Sequence, residues 1–431
     1  MTIPHILIAG GGYVGMYTAL GLHRRLHAGE ARVTVVDPRP NMTYQPFLPE
    51  AAAGSLEPRH VVVPLRRTLK GTDVVSGRVV AVNHAGKSAT IEPAQGPTFE
   101  VTYDILVSAL GSVPRTLPIP GLAEQAIGFK QIEEAIALRN NVLDRLDTAA
   151  STTDPQLRRR ALNFVFVGGG YAGIEALAEL EDMARYATRY YERLSPDDLR
   201  FTLVEASDRI LPEVGEDMGR YTAEQLRKRG IDLRLQTRLE SCVGGHVVLS
   251  DGEELDADTI VWTAGVKANP VLAASDLPLD DRGRVKTLPN LTVEGLTDAF
   301  AAGDAAAVPD LANPGQLTSP SAQHAVRQAR LLAANIARSL RGEPLEDYRH
   351  RHVGSVASLG LHKGVAQVYG IKLKGWPAWF MHRTYHMSRM PTLNKKIRVV
   401  LDWTLALFFR REVVSLGTLQ RPRDDWERAT R

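Results

Sequence analysis

Two glycine runs of matching spacing are the residues of this chain best suited to hold a phosphate: Gly10-Gly11-Gly12-Tyr13-Val14-Gly15 and Gly168-Gly169-Gly170-Tyr171-Ala172-Gly173. In each GxGxxG the first glycine (Gly10, Gly168) permits a tight turn. The second (Gly12, Gly170) lets a pyrophosphate approach the backbone, and the third (Gly15, Gly173) lets a helix pack close to a strand. The N–H groups and positive dipole end of such a helix then face the phosphates. A lone run of this kind also suits a plain tight loop. Here each copy follows a β-rich stretch, Ile6–Ala9 or Phe164–Val167, and opens a helical pattern of Leu20, Leu22 and Leu26 or of Ile174, Leu177 and Leu180. An acid is expected to close the second strand of each unit and hold ribose hydroxyls. Val33–Asp37 supplies Asp37, and Phe201–Glu205 supplies Glu205. The reading is two dinucleotides, and a carboxylate at Glu205 would repel a 2′-phosphate, which favours NADH over NADPH.

The elements that must position these turns fit an ordinary globular chain. It has 431 residues, 44% hydrophobic and 23% charged, enough for two or three sizeable cores. One cysteine, Cys242, excludes an internal disulfide and a dithiol redox centre, which favours a reducing compartment. The apolar run after Met1 is too short for a signal peptide, and no stretch reaches the roughly 18–20 apolar residues of a bilayer span. The net charge of +3 hides an asymmetry: residues 351–431 are net +10 and the rest net −7. Four of the five tryptophans, Trp376, Trp379, Trp403 and Trp426, lie in that basic tail, which points to an anionic contact.

Further segments resemble the two-dinucleotide-binding flavoprotein reductases, most closely the type II NADH dehydrogenases, which are non-proton-pumping NADH:quinone oxidoreductases. Thr43–Glu50 with Ala53-Gly54 resembles the family's loop beside the flavin. Ile105–Gly111, with Ala109 and Gly111, resembles the strand and turn passing FAD. Ile260–Lys267, with Ala264 and Gly265, is similar to the matching turn near NADH. Phe300–Asp304 resembles the segment in which Gly303 and Asp304 hold the ribityl and phosphate region. Ser319-Pro320 reads as a helix start. The resemblance implies that this helix N-terminus, with Ala322, faces the flavin ring, where its positive end stabilises reduced flavin. It also implies that Gln323 and Gln328 belong to the quinone pocket and that Glu175 handles protons near the acceptor. Glu179, one turn on, reads as ordinary helix surface or domain interface.

The missing cysteines separate the chain from relatives that reduce disulfides or oxidise sulfide. Electrons must then leave the flavin directly, to a quinone or to a small carrier protein. His382 and His386 are four apart, a metal-ligand spacing, but no HExxH pattern accompanies them. They read as part of an interfacial or solvated helix, and no metal is expected.

The tail sets the expected partner. Leu393–Arg411 has cationic ends and an apolar middle, Val399–Phe409, too short to span a bilayer. It suits an amphipathic helix lying in a membrane interface, with Trp403 and Phe408 in the acyl boundary and the bases on anionic headgroups. Packing on the body, or a homodimer interface, is the competing use. The expected architecture is α/β with two Rossmann-like domains. Residues 1–115 and 285–345 form a discontinuous FAD-binding domain, 116–284 an inserted NADH-binding domain, and 346–431 a C-terminal amphipathic helical membrane-binding module. The expected activity is hydride transfer from NADH to bound FAD and electron transfer to a quinone, at the cytoplasmic face of a membrane and without nucleic acid. Alternatives are a soluble reductase feeding an iron–sulfur protein, and a non-catalytic flavin-bearing NADH sensor or scaffold.

Overall fold

A computed structural model describes residues 3–350 and 354–415. Six helices position the residues discussed below: α1 (Tyr13–His23), α2 (Leu48–Ala52), α3 (Tyr171–Ala187), α4 (Ala322–Leu340), α5 (Trp376–Arg389) and α6 (Leu393–Phe408). The chain forms two compact units. The first comprises the described parts of Met1–Thr43, Val62–Arg115 and Val266–His352. The second comprises Tyr44–Val61, Thr116–Gly265 and the described parts of Val353–Arg431.

The first unit is built on a seven-stranded sheet in the order Ala299–Ala301, Ile105–Ser108, His5–Ala9, Arg32–Asp37, Asp73–Asn83, Ser88–Pro93, Phe99–Thr102. The first five strands run parallel and the last two return antiparallel. Every residue of His5–Ala9 is buried, as a central parallel strand covered on both faces requires. Helix α1 packs on α4 within this unit. A methyl added at Gly21 would come within 2.5 Å of Ala333 Cβ, so a glycine is what lets the two helices approach so closely.

The second unit repeats the plan with a five-stranded, all-parallel sheet: Ala126–Gly128, Thr259–Trp262, Asn163–Val167, Arg200–Glu205, Ile231–Leu235. Phe164 and Phe201, register partners on adjacent strands, stack at 4.8 Å in a fully enclosed core. Cys242 lies in an apolar cluster with Val165, Ile260 and Trp262, the structural role its context suggested. Residues 354–374 form a three-stranded antiparallel sheet, followed by α5 and α6.

The chain turns over between units at Gly265/Val266, earlier than residue 285. Tyr44–Val61 clusters with the second unit, and residues 354–415 do so as well rather than standing apart.

Candidate dinucleotide turns and a buried charged cluster

The two glycine turns are geometric copies. Gly10 has φ +108° and Gly168 has φ +114°, a region that disfavours any side chain. A Cβ at Gly10 would also lie 2.3 Å from the Ala109 carbonyl oxygen, and one at Gly168 would lie 2.7 Å from Thr263 Oγ1. The third glycines are as constrained. A methyl at Gly15 would sit 1.8 Å from Gly10 O, and one at Gly173 would sit 1.9 Å from Gly168 O. The middle glycines differ in kind: a Cβ on Gly12 or Gly170 would meet no atom within 4 Å. Bare backbone there opens onto space beside a helix start that has no side-chain cap in either copy. That is the cradle a pyrophosphate requires, with Tyr13 and Val14 in the first helical turn.

Each acid is tied to its turn in the same way. Asp37 accepts from the Gly11 N–H (2.7 Å) and the Arg39 N–H (2.8 Å). Glu205 accepts from the Gly169 N–H (2.5 Å) and the Ser207 N–H (2.7 Å). Burial pushes the Asp37 carboxyl up, against the lowering effect of the Arg39 and Gly11 amides. Thr263, absent from the residues chosen by motif, donates its hydroxyl to the Val167 carbonyl (2.9 Å) under the second turn. Ala264 and Gly265 follow it, the latter at φ +88°.

In the first unit Ala109 bonds back to the Ala9 carbonyl (2.9 Å), and Gly111, at φ +65°, accepts from the Asn269 N–H (3.2 Å). Gly303 turns at φ +75°, and Asp304 accepts from the Ser112 hydroxyl (2.6 Å). Gln328 is fully buried. Its Oε1 accepts from the Gly303 N–H (2.8 Å) and its amide donates to Thr318 Oγ1 (3.2 Å). The Oε1 end holds the Gly303–Asp304 turn and the amide end ties it to Thr318, so the side chain is engaged at both ends within the first unit. Helix α4 begins at Ala322, capped by the Ser321 hydroxyl, two residues after the Ser319-Pro320 start. Gln323 lies in its first turn, where its carbonyl accepts from Arg327.

The second unit contains a charged cluster that the motifs did not reveal. Glu50 on α2 is buried and takes hydrogen bonds from Trp403 Nε1 (3.0 Å), while Arg383 Nη2 lies 2.9 Å away. The Arg383 guanidinium lies over Trp379 at 4.1 Å and near Trp403 at 5.0 Å, a cation–π arrangement. Glu175 accepts from the Ser358 N–H (2.8 Å), and His382 Nε2 is 3.0 Å from its carboxylate. Burial alone would lower the His382 pKa. The adjoining Glu175 carboxylate outweighs it, helped by Glu50 and Glu179, and the pKa is raised. Burial and the charge of His382 hold His386 well below its usual value, hence neutral.

Three expectations are corrected here. His382 is enclosed and His386 half-buried, so neither is solvated as on a free helix. Glu179 is 1% exposed and not helix surface, because α3 is buried continuously from Gly173 to Glu181. Trp403 faces the protein, spending its indole N–H on Glu50 and packing edge-on to Phe47 at 5.5 Å, so it does not belong to an acyl boundary. Asp402, the charge inside the apolar run, is used as well: it accepts from the Glu57 N–H (3.2 Å) and pairs with His60 (2.6 Å). The opposite residues of α6, including Ile397, Leu401, Leu405 and Phe408, are exposed, Phe408 at 77%.

Residues 4–329 match the model of the pyridine nucleotide-disulphide oxidoreductases. A type II NADH:quinone oxidoreductase of Staphylococcus epidermidis is 31% identical over 381 residues, which cover 88% of this chain and 93% of that one. The chain belongs to this family, in its type II NADH:quinone oxidoreductase branch. A probable NADH dehydrogenase of Dictyostelium discoideum is 28% identical over 418 residues, covering 95% of this chain and 91% of that one. The fold is that of a Plasmodium falciparum NDH2 solved in complex with NADH: TM-score 0.87, 17% identity, 95% of this chain and 99% of the other. As a family member the chain is an NADH-dependent flavoprotein oxidoreductase with FAD as its cofactor. Among the described residues no helix is long and apolar enough to cross a membrane.

Proposed function

We propose that the protein transfers a hydride from NADH to bound FAD and passes the two electrons to a quinone at a membrane surface, as an NADH:quinone oxidoreductase. The observation that carries this reading is the duplicated cradle: one glycine turn per unit, each with φ near +110° at its first glycine and open space at its second. FAD supplies the two-electron chemistry. In this assignment Gly10, Gly12, Gly15 and Asp37 hold its adenosine diphosphate half, Gly303 and Asp304 its ribityl region, and Ala109, Gly111 and the α4 start at Ala322 border its ring. Gly168, Gly170, Gly173 and Glu205 take NADH, with Ala264 and Gly265 as the adjoining turn. The chain's work is to bind and orient both groups and to exclude water. Gln323 and Glu175 serve the acceptor side.

The exposed apolar residues of α6 and the neighbouring Trp376 and Phe380 support a peripheral site on the membrane. Lys395, Lys396 and Arg398 on the same helix add cations suited to anionic headgroups. In this reading the enzyme sits on the cytoplasmic face, whose anionic lipids attract such cations. A homodimer through the same tail is compatible with it.

The test is anaerobic mixing of purified full-length protein with NADH, followed by a quinone analogue. NADH bleaches the flavin and quinone restores its colour. Bleaching with no recovery by any quinone overturns the acceptor. Binding to anionic vesicles, measured by co-sedimentation and lost on replacing Ile397, Leu401 and Leu405 by Ser, tests the membrane assignment.

A further inference from the structure

Each glycine turn abuts the end of a neighbouring parallel strand. That strand, Ile105–Ser108 in the first unit and Thr259–Trp262 in the second, is followed by two residues and a glycine of positive φ, Gly111 or Gly265. The first residue after the strand gives its N–H to the last residue of the strand that opens the unit. Ala109 donates to the Ala9 carbonyl (2.9 Å), and Thr263 donates to the Val167 carbonyl (2.8 Å). Ala109 and Thr263 therefore occupy matching places, and the polar group that distinguishes them is a hydroxyl.

That hydroxyl is enclosed by the turn it supports. Thr263 Oγ1 lies 2.9 Å from the Val167 carbonyl oxygen and 3.2 Å from that of Gly168, so its proton is shared between two buried acceptors. A Cβ at Gly173, in the first turn of α3, would come within 2.6 Å of the same oxygen. In the first unit a Cβ at Gly15 would meet the Ile8 side chain at 3.1 Å, an apolar neighbour with nothing to donate. The consequence falls on the Gly168–Gly169 peptide. Its N–H is held by Glu205 (2.5 Å) and its carbonyl by Thr263 (3.2 Å), so side chains fix both ends of the plane. The Gly10–Gly11 peptide has the matching N–H bond, to Asp37 (2.7 Å), but an alanine stands where the hydroxyl would be.

We infer that the Thr263 hydroxyl is a positioning group that keeps the second glycine turn in its binding geometry between turnovers, and so sets the affinity for NADH. The inference rests on the proposed assignment of that turn to NADH. In that assignment the first turn holds FAD, which stays bound, whereas the second must receive NADH and release NAD⁺ in every cycle. A bound pyrophosphate holds its own cradle in shape. Without one the protein must do so, because the freedom that lets three glycines form the turn also lets them leave it. When only a fraction of free sites has the binding geometry, the apparent dissociation constant rises by the inverse of that fraction. The hydroxyl acts on the free site and not on the reacting atoms. Its loss therefore weakens NADH binding and leaves hydride transfer at saturation as it was.

The experiment uses FAD-loaded full-length protein in anaerobic stopped flow, with flavin bleaching followed against NADH concentration. Thr263→Ala gives the second turn the residue found in the first. Its half-saturating NADH concentration should rise about tenfold, the scale of one net hydrogen bond, while the limiting bleaching rate and the flavin content stay at wild-type values. Thr263→Ser keeps the hydroxyl and should restore the half-saturating concentration. In protein without NADH, amide exchange over residues 168–173 should be faster in Thr263→Ala than in the wild type, and saturating NAD⁺ should remove the difference. Thr263→Val, similar in shape but without the hydroxyl, carries the same readouts if Thr263→Ala does not fold. A hydroxyl of purely structural use would lower the melting temperature and leave the NADH dependence unmoved, which overturns the inference. So does a limiting rate that falls while half-saturation stays put, or a serine variant as weak as the alanine one. Protection by NAD⁺ of residues 10–15 instead of 168–173 overturns the assignment of the turns. The exchange of the ligand-free variant against wild type then still decides whether the hydroxyl holds the turn.

Discussion

Gln328 Oε1 accepts the N–H of Gly303 at 2.8 Å, across 25 residues of sequence, and so fixes the turn that presents Asp304. Gln328→Leu leaves that buried N–H and the Thr318 hydroxyl unanswered. The expected loss is about 1–3 kcal/mol of stability, the usual penalty for an orphaned buried donor. Flavin content after purification should fall with it. Gln328→Glu keeps the acceptor and should recover part of both. Thermal unfolding and the ratio of flavin to protein absorbance give the two readouts.

Glu205 is the residue expected to reject a 2′-phosphate. Glu205→Ala removes the charge but also the bond to the Gly169 N–H, so NADH efficiency should decline while NADPH efficiency rises. A shift of about tenfold or more in the kcat/KM ratio is expected, equivalent to about 1.4 kcal/mol. An unchanged ratio would remove Glu205 from the discrimination.

Trp403→Phe retains an aromatic ring against Phe47 but deletes the indole N–H given to Glu50. Because Arg383 remains beside Glu50, the cost should stay near the lower end of about 1–3 kcal/mol. It should appear locally, as faster hydrogen exchange over residues 393–408, with the exchange of residues 163–167 unchanged.

Acid should loosen the far end of α4. Glu30 pairs with Arg341 just beyond that helix (2.8 Å), and the hydrogen bond from Arg341, with that from the His27 amide, brings its pKa down from 4.5 to about 2. A lowered carboxylate pKa stabilises the folded state above 4.5, and that contribution is lost as pH falls toward 2. Glu30→Gln should therefore melt lower than wild type at neutral pH, and the gap should close as the pH is taken below 4.5. A gap that stays constant with pH would mean the pair contributes through packing alone.

The glycine turns were legible in the sequence because their chemistry is local: a tight turn, a bare backbone and a helix start fall within six residues. Asp37 and Glu205 could be found by strand counting for the same reason. The buried cluster was not legible. Glu50 and Trp403 are 353 positions apart, and no period or composition joins them. The burial of Glu179 is not legible because Ile174, Leu177 and Leu180 mark one buried stripe of α3, whereas packing by α2 and the small sheet closes its other side too. Trp403 reads as lipid-facing because it lies in an apolar run with cationic ends, a pattern that packing on the body satisfies equally well. Only the placement of Glu50 reveals which way the indole faces. The start of α4 slipped by two residues because Ser319 and Ser321 are both suitable caps, and the hydroxyl of the second takes the amide of His324.

The excursion of Tyr44–Val61 means that neither nucleotide lobe can be cut out of this polypeptide as a contiguous piece. A fragment beginning at Thr116 would carry Arg383 and Trp403 into its interior without Glu50, stranding a buried cation and an indole N–H with nothing to answer them. Deletion series, split reporters and lobe swaps between relatives must therefore move those eighteen residues together with the lobe they complete, although the sequence files them under the other one.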